Sequence, residues 1–348
     1  MYRADEGIGF LLRYENIAWY ENGAVRILDR RIYPVKIEYV TCTKHQEVAK
    51  AIKDMVTQSG GPYTAAAMGM ALAAYEARDL DDGKYLAYMN EAAYTLSHAR
   101  PTTVKKMEGV TKRSLKRLAA ELEKGTSRND MPEKLFEEGI ARLNETYENY
   151  DRVAHYLADK IPHNGTIMTQ CFAETIIGTL MRECRKRGNE VKVICPETRP
   201  YYQGARLTAS VISDMGFDTT VITDNMPAYV MKQKNVDLFT SAADVITMDG
   251  YVVNKIGTFQ IALAAHYWGI PYFTTGSPNP GHPDISSVEI ELRDPELVLE
   301  SMGFKHTSDK VKGYYPAFDI TPPKFVDGIV TSKGIYSPYN LKAYFEGE

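Results

Sequence analysis

The sequence has only four cysteines in 348 residues: Cys42, Cys171, Cys184 and Cys195. They form neither a CxxC motif nor a Cys/His spacing that is typical of a metal site. So few cysteines in a chain of this length indicate free thiols and not a disulfide framework. Because a free cysteine is most often a small buried hydrophobic residue, a functional role for any of the four needs separate support.

Long apolar runs and a strong excess of charge are also lacking. No run of about 18 apolar residues occurs, so the sequence predicts no membrane-spanning helix. The formal net charge is -4, which offers no general attraction to nucleic acid or anionic lipid. The first residues, MYRADEGIGF, contain acids where a signal peptide needs a basic start and an apolar core. We therefore expect a cytoplasmic protein with no nucleic-acid or membrane partner.

Three common catalytic signatures are missing as well. No GxSxG motif marks a serine nucleophile, and the seven histidines are scattered without an HxxxH pair. No GxGxxG follows the first predicted strand of the second half, so a dinucleotide fingerprint is absent. Hydrolase, histidine-metal and dinucleotide-binding interpretations therefore receive no support from the sequence.

The apolar pattern instead predicts an α/β protein in two parts. Residues 1–128 contain a β-hairpin around ENG in NIAWYENGAVRILD and then mostly helical segments such as TKHQEVAKAIKDMVTQ. For residues 129–162, the sequence predicts a charged helix that connects the two parts. In residues 163–348, short apolar runs alternate with helical stretches; the runs are GTIMTQ, EVKVIC, DTTVIT, VDLFTS and IPYFTT. Such alternation favours right-handed βαβ units and a parallel sheet.

Polar side chains follow these five runs, where ligands of open parallel sheets bind. They are Thr169, Gln170 and Cys171, then Glu197, Thr198, Arg199 and Gln203, then Thr223, Asp224 and Asn225, then Asp244, then Thr274, Thr275 and Ser277. Cys171 also opens a predicted helix, whose free N–H groups would lower the pKa of the thiol and favour a base or nucleophile. An inert cysteine at a strand end is the alternative.

Two further features favour a phosphate-bearing ligand. Asp244 has apolar neighbours in SAADVITMDG, so we expect a buried hydrogen-bonded carboxylate, a protonated acid, or only the cap of a turn. Asn254 and Lys255 precede Gly257 and a strongly apolar helix, which predicts a phosphate seat at a helix N-terminus, although such a lysine can also be merely solvated. The SGGP turn at residues 59–62 is a second candidate for binding the phosphate.

Several longer strings resemble the methylthioribose-1-phosphate isomerase family, which is grouped with ribose-1,5-bisphosphate isomerases and the regulatory subunits of the translation-initiation exchange factor. They are ILDRRIYP, AIKDM followed by GGP, ARPTTV, ETRPYYQGARLTA, VITDNM, NKIGTFQIALAA and PAFDITP, and they are spread over nearly the whole chain. The resemblance implies a helical N-terminal domain, a Rossmann-like C-terminal domain, a homodimer, and no metal or nucleotide cofactor.

The resemblance also implies an aldose–ketose isomerase of methionine salvage, acting on 5-methylthioribose 1-phosphate or a related pentose 1-phosphate. By position, Cys171 in TQC and Asp244 in AAD match the catalytic cysteine and aspartate of the family, as base and protonated acid respectively. A hydride shift from C2 is an open alternative. The implied substrate-binding residues are Ser59, Gly60, Gly61, Arg100, Gln203, Asn254 and Lys255.

The sequence departs from the family pattern around this pocket. Ser59 replaces an arginine, Gln170 a histidine and Val245 another arginine, and the loop at residues 276–284 differs. With Ser59 in place, we expect the phosphate to rely on Arg100, Gln203, Lys255 and backbone N–H groups near Gly60, with donors added by Gln170 and His282. A ribose-1,5-bisphosphate isomerase, or a non-catalytic regulatory subunit of the initiation factor 2B type, is the alternative function. Retention of both Cys171 and Asp244 favours an enzyme.

Overall fold

The computed structural model describes residues 2–100 and 103–346, and the chain divides into two compact units, Met1–Glu148 and Asn149–Glu348. The division falls inside a long helix, α5 (Met131–Ala158). The boundaries predicted at residues 128 and 162 stay a prediction. In the described part of the chain, no helix combines the length and apolar character needed to cross a membrane.

The first unit begins with a small antiparallel sheet. Its strands are β1 (Ala18–Glu21), β2 (Ala24–Leu28) and β3 (Tyr39–Cys42), in the order β1-β2-β3. The predicted hairpin is confirmed, since Asn22 and Gly23 link β1 to β2 with φ angles of 50° and 77°. Two successive left-handed residues form the tight turn whose twist matches that of paired strands, and Asn-Gly is the pair that adopts it most readily.

Helices make up the rest of the first unit. They are α1 (His45–Lys53), α2 (Gly61–Ala77), α3 (Asp82–Ser97), α4 (Val104–Glu123) and the first part of α5. The central one, α2, is rich in alanine and buried on almost all sides. A Cβ added at its Gly69 would lie 2.8 Å from Leu96 of α3. Small residues therefore let α2 pack closely against its neighbours, as expected of a helix that is apolar all round.

A seven-stranded sheet forms the core of the second unit. The strands that the apolar runs predicted are all present: β4 (Thr166–Met168), β5 (Lys192–Pro196), β6 (Thr219–Ile222), β7 (Leu238–Ala242) and β10 (Tyr272–Thr275). The sheet also includes β14 (Gly328–Thr331) and an antiparallel edge strand, β15 (Gly334–Tyr336). Its helices are α6 (Thr175–Lys186), α7 (Ala209–Asp214), α8 (Pro227–Gln233) and α9 (Thr258–Trp268). The prediction of a helical first part and a parallel-sheet second part is confirmed.

The strand order is β15-β14-β10-β7-β4-β5-β6. From β4 the chain adds strands in one direction through β5 and β6, and it then returns to add β7, β10 and β14 on the other side. Strand order therefore reverses between β4 and β7. In open parallel sheets the crevice at the carboxyl end of such a switch point is the usual ligand site. The Rossmann-like description stays an interpretation of this order.

A smaller sheet lies beside the main one in the second unit. It consists of β8 (Val245–Ile246), β9 (Val252–Lys255) and β13 (Phe318–Thr321), all paired antiparallel. An exposed hairpin, β11 (Glu300–Ser301) and β12 (Phe304–Lys305), precedes β13. Because Lys255 pairs with Phe318 in this sheet, its position is fixed by a segment more than sixty residues further along the chain.

Candidate functional site

Three of the predicted residues follow or end strands beside the switch point. Cys171 stands just beyond the end of β4, Asp244 just beyond the end of β7, and Lys255 is the last residue of β9. The charges of Asp244 and Lys255 both act on the Cys171 thiol. The second unit therefore brings a thiol, a carboxylate and an ammonium group together at the crevice.

The backbone of Cys171 is held in an unusual conformation. Its φ of 60° is left-handed, which is costly for a residue with a side chain and persists only where the surroundings enforce it. The Cys171 N–H donates to Oγ1 of Thr198 at 3.2 Å, and Oγ1 of Thr208 donates to the Cys171 carbonyl. Both threonines are buried. Two side chains outside its own loop thus fix where the thiol stands.

The expectation of a low pKa for Cys171 is wrong. Helix α6 begins at Thr175, so Cys171 does not lie at a helix N-terminus, and the intervening Glu174 has a φ of 52°. Burial raises the pKa of the thiol to about 11, and the Lys255 ammonium and the Phe172 N–H only partly oppose this. At neutral pH the half-buried Cys171 thiol therefore keeps its proton.

The expectation that Asp244 is buried among apolar neighbours is also wrong. Its side chain is exposed, although its backbone N–H donates to the carbonyl of Val253 at 2.9 Å. The apolar neighbours gave the wrong prediction because Asp244 lies at the bend between β7 and β8 and not within a strand.

Lys255 is a buried cation without an anion. It is only 5% exposed, and its Nζ lies 4.9 Å from the ring centre of Phe318 and 6.0 Å from that of Tyr315. Among the residues that the structure describes, no carboxylate is within ion-pair distance of this Nζ. Burial lowers its pKa and nearby Arg293 adds to this, whereas Cys171, Asp244 and Glu291 raise it. A buried ammonium of this kind favours an incoming negative charge.

The predicted phosphate seat at the N-terminus of α9 is already filled. The carboxylate of Asp319, in β13, accepts from the Gly257 N–H at 2.7 Å and from the Phe259 N–H at 3.1 Å. Asn254 is buried, and its Nδ2 donates to Thr258 Oγ1 at 3.0 Å. The prediction of a phosphate at this helix end is therefore wrong, because a carboxylate of the protein occupies the N–H groups.

We predict that Asp319 makes stability fall with rising pH in a mildly acidic window. Burial raises its pKa from 3.8 to about 6, even though the N–H groups of Phe259 and Gly257 lower it. The folded protein thus holds this proton more tightly than the unfolded chain does, so the stabilisation is complete below about pH 4 and is lost through pH 6. Since one pKa unit corresponds to about 1.4 kcal/mol, the loss is roughly 3 kcal/mol.

Urea unfolding of wild type and Asp319→Asn at pH 4, 5, 6 and 7 measures this contribution. Subtracting the variant's free energy of unfolding from that of wild type at each pH cancels the contributions of other carboxylates that titrate in the same pH range. The free energy of unfolding of wild type should fall relative to that of the variant between pH 4 and 6. A difference that stays constant over this range would contradict the assignment.

Gln203 offers an acceptor to a ligand. Its Oε1 is buried and receives no hydrogen bond from any described residue. It immediately precedes Gly204, where an added Cβ would lie 1.8 Å from the carbonyl oxygen of Pro196. Only glycine allows this close approach, which sets the direction of the segment that carries Gln203.

The predicted extra donors are engaged within the protein. Nε2 of the buried Gln170 donates to the Ile256 carbonyl at 3.0 Å, and its Oε1 accepts from Thr198 Oγ1 at 3.4 Å. Nδ1 of His282 lies 3.1 Å from Ser287 Oγ. Gln170 therefore connects the loops after β4, β5 and β9, and its contacts are structural.

The remaining predicted residues belong to the first unit. Ser59 is exposed with a φ of 56°, Gly60 is the N-cap of α2, and Gly61 is its first residue. Buried Arg30 supports this turn, since its Nη1 donates to the Gln58 carbonyl at 2.6 Å. Arg100 lies half-buried after α3. A contribution of these four residues to the site in the second unit stays a prediction.

Sequence reasoning missed a charged pair beside Lys255. The guanidinium of Arg293 binds Glu291 through Nε at 3.0 Å and Nη2 at 3.1 Å, and it lies 5.5 Å from the ring centre of Phe318. Its charge acts on both Cys171 and Lys255. The one signal in the sequence is the alternation of charged and apolar residues in EIELR, which is typical of a strand. Leu292 is exposed, and Arg293, on the opposite face, points inward.

Comparison with known proteins gives the family. The family model described as "Initiation factor 2 subunit family" matches residues 59–338. The methylthioribose-1-phosphate isomerase of Desulforamulus reducens is 33% identical over 335 residues, which cover 93% of this chain and 96% of that protein.

Two crystal structures are similar over nearly the whole chain. That of 5-methylthioribose 1-phosphate isomerase from Pyrococcus horikoshii has a TM-score of 0.84 at 31% identity and covers 96% of both chains. That of subunit delta of translation initiation factor eIF-2B from A. fulgidus has a TM-score of 0.82 at 30% identity and covers 93% of this chain and 96% of that one. Identity of about a third over almost the full length of both proteins shows that the chain belongs to the initiation factor 2 subunit family and, within it, to the methylthioribose-1-phosphate isomerases.

Proposed function

We propose that the protein isomerises a pentose 1-phosphate, 5-methylthioribose 1-phosphate or a close relative, to the ketose 1-phosphate. The observation that carries this proposal is the convergence of Cys171, Asp244 and Lys255 at the switch point of the sheet. A thiol and a carboxylate supply an acid and a base, and a buried cation without an anion supplies a seat for phosphate. The names of the relatives support the same reaction.

The substrate's phosphate blocks its anomeric carbon, so the sugar ring cannot simply open to an aldehyde. A base must take the proton at C2 while the C1–C2 double bond forms and the bond from C1 to the ring oxygen breaks. An acid must protonate that oxygen as it leaves. C1 then accepts a proton and the enol at C2 gives one up, which yields the ketone.

We assign the acid role to Cys171 and the base role to Asp244, the reverse of the assignment that the resemblance implies. The Cys171 thiol carries its proton at neutral pH because burial raises its pKa. The exposed Asp244 is suited to accept a proton. In the second half of the reaction the exposed Asp244, after exchange of its proton with solvent, donates a proton to C1, and the enol at C2 gives one to the thiolate, so both groups are restored.

We assign the phosphate chiefly to Lys255 and the sugar hydroxyls to Gln203. Lys255 gains the anion that it lacks, and Oε1 of Gln203 gains a donor. The arginine that the family has at position 59 is unnecessary in this assignment, because Lys255 supplies the positive charge that binds the phosphate.

A non-catalytic regulatory role is the second candidate. It is favoured by the likeness to eIF-2B subunit delta, whose TM-score of 0.82 is close to that of the isomerase structure. A protein that only senses a sugar phosphate needs Lys255 and Gln203 but has no use for the thiol and carboxylate. Binding without turnover distinguishes this role from catalysis.

A turnover assay on a panel of pentose 1-phosphates tests the proposal. The panel contains 5-methylthioribose 1-phosphate, ribose 1-phosphate and ribose 1,5-bisphosphate. We expect ketose formation from at least one of them, and the preferred member identifies the substituent at C5. Calorimetric binding with no turnover of any member would favour the regulatory role instead.

We also propose a homodimer formed by an apolar surface of the second unit, the α8–α9 face. This face is made of exposed Met226, Tyr229, Leu263, Tyr267 and Trp268. Tyr267 is 78% exposed and Tyr229 is 71% exposed. Aromatic side chains clustered on one exposed face are typical of protein–protein contacts. A second copy of the chain is the occupant that the resemblance implies.

Light scattering at micromolar concentration should give a dimer for wild type. Tyr267→Glu should shift the protein to monomer, because it places two like charges in or near the contact. Tyr339→Glu is the matched control, since Tyr339 is 70% exposed but lies outside the α8–α9 face. A wild-type monomer, or equal effects of the two variants, would contradict the proposed interface.

A further inference from the structure

The buried hydroxyl of Tyr315 has no hydrogen-bond acceptor. Tyr315 is 3% exposed, and its phenolic O–H donates to no acceptor among the described residues, although the Arg293 guanidinium is close enough to interact with the oxygen. A buried polar group left unpaired destabilises the folded state. Such a group in a native protein calls for an explanation, and one explanation is a role in binding a ligand.

The position of Tyr315 is set by strand-like pairing. Its carbonyl accepts from the Arg293 N–H at 2.9 Å, the Ala317 N–H donates to the Glu291 carbonyl at 2.8 Å, and Leu292 bridges Pro316. Residues opposite each other in an antiparallel pair project to the same face. The side chains of Arg293 and Tyr315 therefore share one face, and the exposed Leu292 points away from it.

That face carries Arg293, paired with Glu291, and it belongs to the candidate site because Lys255 lies beside it. The ring of Tyr315 has its centre 6.0 Å from Lys255 Nζ, and Arg293 and the Cys171 thiol act on its hydroxyl. Burial raises the pKa of Tyr315 to about 12, so the phenol is neutral and keeps its proton. Lys255 and Arg293 can only donate hydrogen bonds. The phenolic O–H therefore lies beside Lys255 and Arg293 with no acceptor bonded to it, a position that favours an anion.

We propose that the Tyr315 hydroxyl donates a hydrogen bond to a phosphate oxygen of the substrate, beside Lys255. The inference rests on the proposed function, because it assigns a further contact in the same site. Lys255 and Arg293 are long side chains whose ends can turn toward an anion that approaches the hydroxyl. The Tyr315 hydroxyl donates along one direction and can therefore orient the phosphate. The Lys255 ammonium and the Arg293 guanidinium attract the phosphate chiefly through their charge.

Tyr315→Phe tests the proposal because it removes only the oxygen. Loss of an unpaired buried hydroxyl should leave the melting temperature unchanged or raise it. KM for the substrate should rise about tenfold, with kcat within about threefold of wild type, since a contact to phosphate exists before and during the reaction. Tyr85→Phe is the matched control. Tyr85 is also buried with an unpartnered hydroxyl, but it lies in α3 of the first unit.

The outcomes separate this inference from the proposed function. An unchanged KM in Tyr315→Phe overturns the inference, and so does a lower melting temperature than that of Tyr85→Phe, which would show a structural hydroxyl. If wild type turns over no panel member, the proposed function fails, and calorimetric titration with ribose 1-phosphate and inorganic phosphate decides the inference. Binding about tenfold weaker in Tyr315→Phe supports it. Equal binding, or no binding by wild type, overturns it.

Discussion

Cys171→Ser and Asp244→Asn should each lower kcat at least about a hundredfold, the scale of lost general acid or base catalysis, while the melting temperature stays close to that of wild type. Serine keeps the shape of Cys171 but is a far weaker acid, and asparagine keeps the shape of Asp244 but cannot take a proton. Both positions are set by backbone contacts that the substitutions leave in place. Calorimetric binding of the substrate should change much less than turnover.

Cys195→Ser is the matched control for the cysteine, because Cys195 is also a free thiol but is buried at the end of β5. It should alter stability more than turnover. The pH dependence of kcat/KM decides which role the thiol plays. If Cys171 is the acid, the rate is level near neutral pH and falls as pH approaches about 11, where the thiol ionises. A rate that instead rises steadily through this range would return the thiol to the role of base.

Lys255→Gln should raise KM at least about a hundredfold and weaken the binding of inorganic phosphate by a similar factor. Loss of a buried charge that pairs with a ligand typically costs several kcal/mol. Because burial and Arg293 disfavour the ammonium form when no anion is bound, the variant should also be at least as stable as wild type. That combination of weaker binding and undiminished stability is characteristic of a ligand site.

Lys160→Gln is the matched control, since Lys160 is also a cation beside an aromatic ring, with Nζ 5.8 Å from the centre of Phe273. Its KM should be unchanged. Similar KM values for wild type and Lys255→Gln would mean that the phosphate is held elsewhere, with Arg100 and the turn at Gly60 as the next candidates.

The sheet of the second unit could be predicted because its strands are short runs of apolar and β-branched residues bounded by polar ones. That pattern is local, and all five predicted strands are present. The same reasoning placed Cys171 and Asp244 at strand ends, whereas Lys255, the last residue of β9, was predicted only as a residue before a helix. It could not find Asp319, whose carboxylate caps a helix start 62 residues earlier in the chain. Pairing at that distance leaves no periodic trace in the sequence.

The environments of the site residues were harder to predict than their positions. The start of α6 was assigned to Cys171 because the residues that follow favour helix, yet left-handed conformations at Cys171 and Glu174 delay the helix to Thr175. The conformation of Cys171 is supported by contacts from Thr198, in the loop after β5, and from Thr208, in the helical turn before α7. The pKa of the thiol therefore depends on tertiary packing, and a rule based on helix ends gave the wrong direction.

The most direct test of the proposed isomerase is to follow 5-methylthioribose 1-phosphate labelled with ¹³C at C2 during incubation with the purified protein in D₂O. The account predicts that the C2 signal moves from that of an alcohol carbon to that of a ketone, and that C1 of the product carries deuterium. Cys171→Ser should slow the change at least about a hundredfold. A ketone formed without deuterium at C1 would contradict proton transfer through Asp244. A C2 signal that never changes for any panel member, despite measurable binding, would contradict the isomerase itself.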